Sequence, residues 1–276
     1  MSSTEETQYF LSQDGLRIYY RHWDCEDASK ICCIVHGFGE HSGRYAHVAE
    51  RLNKAGITVF AMDLRGHGLS QGKKGHAKSY ELLMSDIEEL LKTARSEYTD
   101  LPMFLMGHSM GGNLVGNYVI RMNTNELKGF ILSSPWFKLA FDPPAWKVKL
   151  GQFFSKVYPA LSQPSGLEVN HISRVPEVVQ AYIDDPLVHD IMSAGLHAGV
   201  SEAGDYAIEK ADTIKLKGLV YQGTSDQIID WKTSREFASR LKDGEFIALD
   251  GVYHEPHNDL GQEEVIDRLI KFIEGN

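Results

Sequence analysis

Three cysteines in 276 residues are too few for a disulfide framework. Cys25, Cys32 and Cys33 lie close together, are odd in number and have no His or Cys at zinc-ligand spacing, so they read as thiols. Cys32 and Cys33, inside the apolar run Ile31-Cys32-Cys33-Ile34-Val35, read as small hydrophobes in a core. Long hydrophobic runs are also missing: no stretch is continuous enough to cross a bilayer. Met1-Ser2-Ser3-Thr4-Glu5-Glu6 has no basic region followed by an apolar one, and a cytoplasmic location is expected. Basic charge is in deficit, with 28 Lys and Arg against 38 Asp and Glu and a formal charge of -10. That balance gives no electrostatic reason to approach phosphate backbones or anionic membrane surfaces and argues against nucleic acid as a partner.

What is present is an alternation. Short runs rich in β-branched and aromatic residues recur between longer segments of helical periodicity, the pattern of an α/β fold with a mostly parallel sheet and crossover helices. Buried strands are expected at Lys30–Val35, Ile57–Met62, Pro102–Met106, Lys128–Leu132, Lys217–Gln222 and Glu245–Leu249. An amphipathic pair, Gln8–Ser12 and Leu16–His22 around Asp14-Gly15, reads as an antiparallel hairpin on the sheet edge. Helices are expected over Tyr45–Lys54, Tyr80–Tyr98, Gly111–Met122, Thr233–Leu241 and Glu263–Glu274. The alternation fails between about Pro135 and Asp212, where prolines break the pattern and aromatics cluster. This predicts a core of residues 1–134 and 213–276 interrupted by an inserted helical cap, 135–212. Its aromatics, Trp136, Phe137, Phe141, Trp146, Phe153, Phe154 and Tyr158, could line an apolar substrate pocket or form the cap's own core, and they would permit transient contact with a membrane or micelle.

Gly107-His108-Ser109-Met110-Gly111 places a G-x-S-x-G pattern after a predicted strand and before a predicted helix. A serine at such a turn is held in strained backbone geometry with its hydroxyl at the carboxyl end of the sheet. The helix that starts there points free N–H groups at the same place, which suits an oxyanion formed in acyl transfer. A serine needs a base and an orienting carboxylate. Asp226 lies just past the strand ending at Gln222, and His254 in the turn after the next strand. The chain order Ser, Asp, His is the one this architecture uses. Asp230 and His257 are the alternatives: Asp230 reads as the cap of a helix beginning near Trp231, and His257 as a surface or supporting residue. His36-Gly37-Phe38-Gly39-Glu40 follows the first long strand, so the N–H of Phe38 can join that of Met110 as an oxyanion donor. Asp63-Leu64-Arg65-Gly66-His67-Gly68-Leu69-Ser70 has one Asp and one His, no metal cluster, and reads as a structural loop below the site.

Taken with His41-Ser42-Gly43-Arg44-Tyr45, which continues the Gly37–Glu40 segment, with Gly112 after Gly111, and with Asp185-Pro186-Leu187-Val188 and Tyr253-His254-Glu255, these segments resemble the monoacylglycerol lipase and lysophospholipase branch of the α/β-hydrolases, serine aminopeptidase S33-type proteins. The resemblance spans nearly the whole chain. It implies an α/β-hydrolase fold, a triad of Ser109, Asp226 and His254, oxyanion N–H groups from Phe38 and Met110, no cofactor, and a cap that admits one acyl chain. It also implies a small-molecule ester or lipid substrate. A short-chain or aromatic-ester carboxylesterase is the nearest alternative within that chemistry, and a non-catalytic binding protein on the same fold is the alternative outside it.

Overall fold

The computed structural model describes residues 8–276, apart from the side chain of Lys147. The described residues open with the expected hairpin: β1 (Tyr9–Leu11) pairs antiparallel with β2 (Arg17–Trp23) across a turn in which Gly15 takes φ 83°. It continues through β3 (Lys30–Val35), α1 (Ala46–Lys54), β4 (Ile57–Met62), α2 (Tyr80–Glu97), β5 (Met103–His108), α3 (Met110–Arg121) and β6 (Leu127–Ser133). Next come α4 (Ala145–Val157), β7 (Ser162–Pro164), α5 (Pro176–Asp184), β8 (Ile191–Ser193) and α6 (Ala194–Lys210). The last third holds β9 (Lys217–Gly223), α7 (Trp231–Arg240), β10 (Gly244–Leu249) and α8 (Gln262–Glu274).

Eight strands form one sheet in the order β1-β2-β4-β3-β5-β6-β9-β10. β2 runs antiparallel to β4, and every pairing from β4 to β10 is parallel. Every residue of β4 and β5 is buried, as are Ile31 to Val35 in β3, because helices cover both faces of a parallel sheet. One core contains Leu83, Ile87 and Leu90 of α2, Leu114 of α3, Leu196 of α6 and Phe237 of α7. The other packs Val48 and Leu52 of α1 with Val265 and Leu269 of α8. Cys32 and Cys33 alternate between these two cores, and burial pushes the Cys32 thiol up to about 12.

Boundaries differ from the sequence reading by one or two residues where local signals compete. β5 starts at Met103 and reaches His108, extending the buried strand right up to Ser109. α7 starts at Trp231, not Thr233, because Asp230 accepts from Lys232 N–H as its N-cap, the role expected of it. The Asp63–Ser70 loop is a structural device: Asp63 accepts from Ser42 N and Oγ at 2.8 and 2.5 Å and from Leu69 N at 2.8 Å. Arg65 forks onto buried Asp86 at 2.7 and 2.8 Å.

Between β6 and β9 the expected helices are joined by an antiparallel ribbon of β7 with β8, which periodicity did not reveal. The two parts of this region behave differently. α6 is fastened to α3 by Asn113 and Asn117, whose buried side-chain amides donate to the carbonyls of Val200 and Ala203 at 3.0 and 2.9 Å. α4 has no buried residue among those described, and Trp146, Leu150, Phe153 and Val157 are all exposed. The aromatics divide accordingly. Trp136 and Phe137 are packed, whereas Phe141, Trp146, Phe153 and Tyr158 are exposed.

Candidate active site

Ser109 stands between β5 and α3 at φ 51° and ψ -116°, a left-handed conformation that costs about 1–3 kcal/mol in a non-glycine residue. It is held there by its own backbone, whose N–H donates to Ser133 O at 2.9 Å and whose carbonyl accepts from Trp136 N at 2.9 Å and Asn113 N at 3.0 Å. The turn is tight enough that a Cβ on Gly107 would overlap the Gly111 carbonyl, and one on Gly111 would overlap the carbonyls of Val35 and His36. Glycine is therefore dictated by close approach on either side of the serine.

Asp226 follows β9 and is buried. Its Oδ1 accepts from the N–H groups of Ile228 and Ile229 at 2.9 and 3.0 Å, and its Oδ2 from Gln222 Nε2 at 2.8 Å. Oδ2 also meets Nδ1 of His254 at 2.8 Å, although 28 residues of chain separate the two. An ionised Asp226 requires Nδ1 to carry the proton, which leaves Nε2 of the neutral ring as the acceptor. Burial opposes protonation of His254, but the charge and hydrogen bond of Asp226, with the charges of Glu255 and Glu40, outweigh it and raise its proton affinity above that of an ordinary histidine. His108, beside the serine, is driven the other way: burial and the neighbouring His257 and His254 hold it well below the usual value, so it is a neutral packing group. Its Nδ1 lies 3.2 Å from Ser133 O.

Ser109 and His254 line one cavity of about 540 Å³, within the range of small-molecule sites. Among the described residues no hydrogen bond joins the Ser109 hydroxyl to His254, a contact that commonly tightens only in a substrate complex. Trp136, Leu139, Phe141, Ile172, Met192 and Ile228 make much of the wall apolar. Phe38 lines the cavity. Met110, fully buried, is not among the lining residues and offers only its backbone N–H, at the start of α3.

Of the two alternatives, Asp230 is the N-cap of α7, its carboxylate accepting from Lys232 N–H and the Thr233 hydroxyl at 3.1 and 2.9 Å. His257 is not a surface residue: it is 1% exposed, stacks on Tyr45 at 5.0 Å between ring centres and meets His108 edge-on at 4.8 Å. The Pro256–Asn258 turn carries it against His108, and burial drives its proton affinity down to about 3. Sequence reasoning missed Gln222, whose only signal is a polar residue near the end of an otherwise apolar strand. It also missed the buried ion pairs that join Arg44 to Glu40 and Glu255.

A family model described as Serine aminopeptidase, S33 matches residues 26–261. A monoacylglycerol lipase of Mycolicibacterium smegmatis is 32% identical over 99% of this chain and 98% of its own. The monoglyceride lipase of Mus musculus is 30% identical over 93% of this chain and 86% of its own. The crystal structure of a monoacylglycerol lipase from Paleococcus ferrophilus superposes with a TM-score of 0.84 at 34% identity, covering 93% of this chain and 98% of that one.

Proposed function

The chain belongs to the serine aminopeptidase S33 family, has the α/β-hydrolase fold and is a carboxylic-ester hydrolase, and from that premise we propose that it cleaves monoacylglycerols through Ser109, His254 and Asp226. The observation that carries this reading is the Asp226–His254 pair at 2.8 Å, opening with a strained Ser109 onto an apolar cavity. Nε2 of His254 takes the Ser109 proton as the hydroxyl attacks the ester carbonyl. Asp226 holds the tautomer and stabilises the imidazolium, and the N–H groups of Phe38 and Met110 bind the oxyanion. His254 then protonates the departing alcohol, an acyl-Ser109 remains, and water deprotonated by the same ring releases the fatty acid.

Residues 135–212 act as the cap that selects the acyl chain. Support comes from Trp136, Leu139, Phe141 and Met192 on the cavity wall. We place the protein in the cytoplasm, consistent with its three free thiols. No helix of the described residues is long and apolar enough to cross a membrane. Contact with lipid is assigned to α4, where Trp146, Leu150, Phe153 and Val157 fall three or four residues apart on one exposed face, the pattern of a helix lying in an interface.

The test is hydrolysis of monoacylglycerols of increasing chain length beside lysophospholipids and acetyl, butyryl and aromatic esters. Release of glycerol with a preference for long acyl chains is expected. Turnover confined to acetyl, butyryl or aromatic esters would remove the lipase reading and leave the esterase one.

A further inference from the structure

We propose that Arg44 is a positioning residue that ties the oxyanion loop, the loop carrying His254 and the cap into one geometry, an inference that rests on the reading of Ser109 and His254 as the reacting pair. Arg44 lies in the single turn of 3-10 helix, Ser42–Tyr45, that precedes α1. Its Nη1 and Nη2 donate to Oε1 and Oε2 of Glu255 at 2.7 Å each, a bidentate fork across 211 residues of chain. Nη1 also donates to Glu40 Oε2 at 2.8 Å. The other oxygen of Glu40 accepts from Gly37 N–H at 2.6 Å and from the Tyr45 hydroxyl at 2.8 Å. Gly37 is the residue before Phe38, and Glu255 is the residue after His254. Polar contacts therefore run without a break from the residue before the proposed oxyanion donor, through Glu40, Arg44 and Glu255, to the residue after the proposed base.

The cap reaches the same group. Tyr182 of α5 lies over the Arg44 guanidinium at 4.7 Å from its ring centre, and Tyr182 also lines the cavity. The side chains of Arg44, Glu40 and Glu255 are only 10%, 3% and 4% exposed. Two carboxylates and one guanidinium taken out of water are a poor source of stability, since apolar residues of the same volume commonly do as well. The fork geometry is what apolar residues, or a lysine, would not supply.

The charges around His254 bear on the test. Asp226 faces its Nδ1. Burial opposes ionisation of Glu255, but Arg44 overrides it and holds the carboxyl down to about 2, so Glu255 stays charged. Glu255 and Glu40 both raise the proton affinity of His254. His108, packed on it at 4.9 Å between ring centres, and His257, packed in turn on His108, are kept neutral by burial. The backbone carbonyl of His171 accepts from the His254 backbone N–H at 3.5 Å, and His171 also lines the cavity.

The experiment compares the parent with Arg44→Met, Arg44→Lys and Glu255→Gln on p-nitrophenyl butyrate, with active sites counted by a fluorophosphonate probe and stability followed by thermal unfolding. For Arg44→Met, kcat per labelled site is expected to fall roughly 10- to 100-fold, the scale set by a displacement of about 1 Å at a reacting group, with KM little changed. Arg44→Lys, which keeps the charge without the fork, should recover only part of that loss. Glu255→Gln removes a negative charge beside His254 and should move the acid limb of kcat/KM to lower pH. A purely structural role predicts a lower Tm or fewer labelled sites with a parent-like kcat per site and an unmoved acid limb, and that result overturns the proposal. If Arg44→Met does not fold, a parent-like kcat per site in Arg44→Lys overturns it equally. A parent that takes no label would instead sink the reading of Ser109.

Discussion

The carboxyl end of the sheet and the segment over it solve opposite problems. Around Ser109 the chain buries polar and charged groups and satisfies most of them: Asp226 accepts four hydrogen bonds, and Arg44 is shared by two carboxylates. On α4 it does the reverse, leaving Trp146, Phe153 and Val157 more than half exposed. Buried polar groups tolerate little displacement, because an unsatisfied one costs about 1–3 kcal/mol. An exposed apolar helix face carries no such constraint. The two regions therefore place opposite demands on packing.

Ser109→Ala gives the largest separation between them. Ester turnover should fall by about 10⁴-fold or more, with thermal unfolding near that of the parent, because the hydroxyl has no part in the backbone bonds that hold the turn. A variant that kept parent-like hydrolysis would erase the distinction between the two regions.

Asp226→Asn should come next, with kcat lowered by about 10⁴-fold because the wrong tautomer of His254 is favoured. It also carries a sign. In the parent, the carboxylate holds the His254 proton affinity above the ordinary value, so kcat/KM should rise with pH through an apparent value above the usual ~6.5. Without that charge burial prevails, and the acid limb of the residual activity should move to lower pH. A limb that stays in place would show that another group titrates.

Phe153→Ser sharpens the comparison from the other side and is the smallest effect in solution. The side chain is 57% exposed, so stability should change by no more than about 0.5 kcal/mol in urea unfolding, and butyrate ester turnover should be unaltered. Co-sedimentation with phosphatidylcholine vesicles should fall. Unchanged sedimentation would mean that α4 does not carry the interface.

Much of the sheet was legible because its strands are buried on both faces and read as unbroken apolar runs: β3 and β4 begin and end where the sequence pattern places them. The ends of β5 and α7 were less so, since a glycine turn and an aspartate cap compete there with periodicity. The β7–β8 ribbon escaped notice because strands of three residues carry too little alternation to detect. Of the two readings open for His257, surface or supporting, its burial against His108 favours the second. One helical turn beyond His254 is a distance in sequence, and the Pro256–Asn258 turn converts it into burial.

The sequence by itself determined the order of elements and the serine's strand-to-helix turn, because strand periodicity, glycine at close approach and helix starts are local properties of neighbouring residues. The tertiary structure alone decided that Asp226 meets His254, that Gln222 steadies Asp226, and that Arg44 reaches Glu255 across 211 residues. It also decided which aromatics of residues 135–212 line the cavity and which are exposed. Those are contacts between distant segments, whose geometry exists only once the sheet has brought its strand ends together.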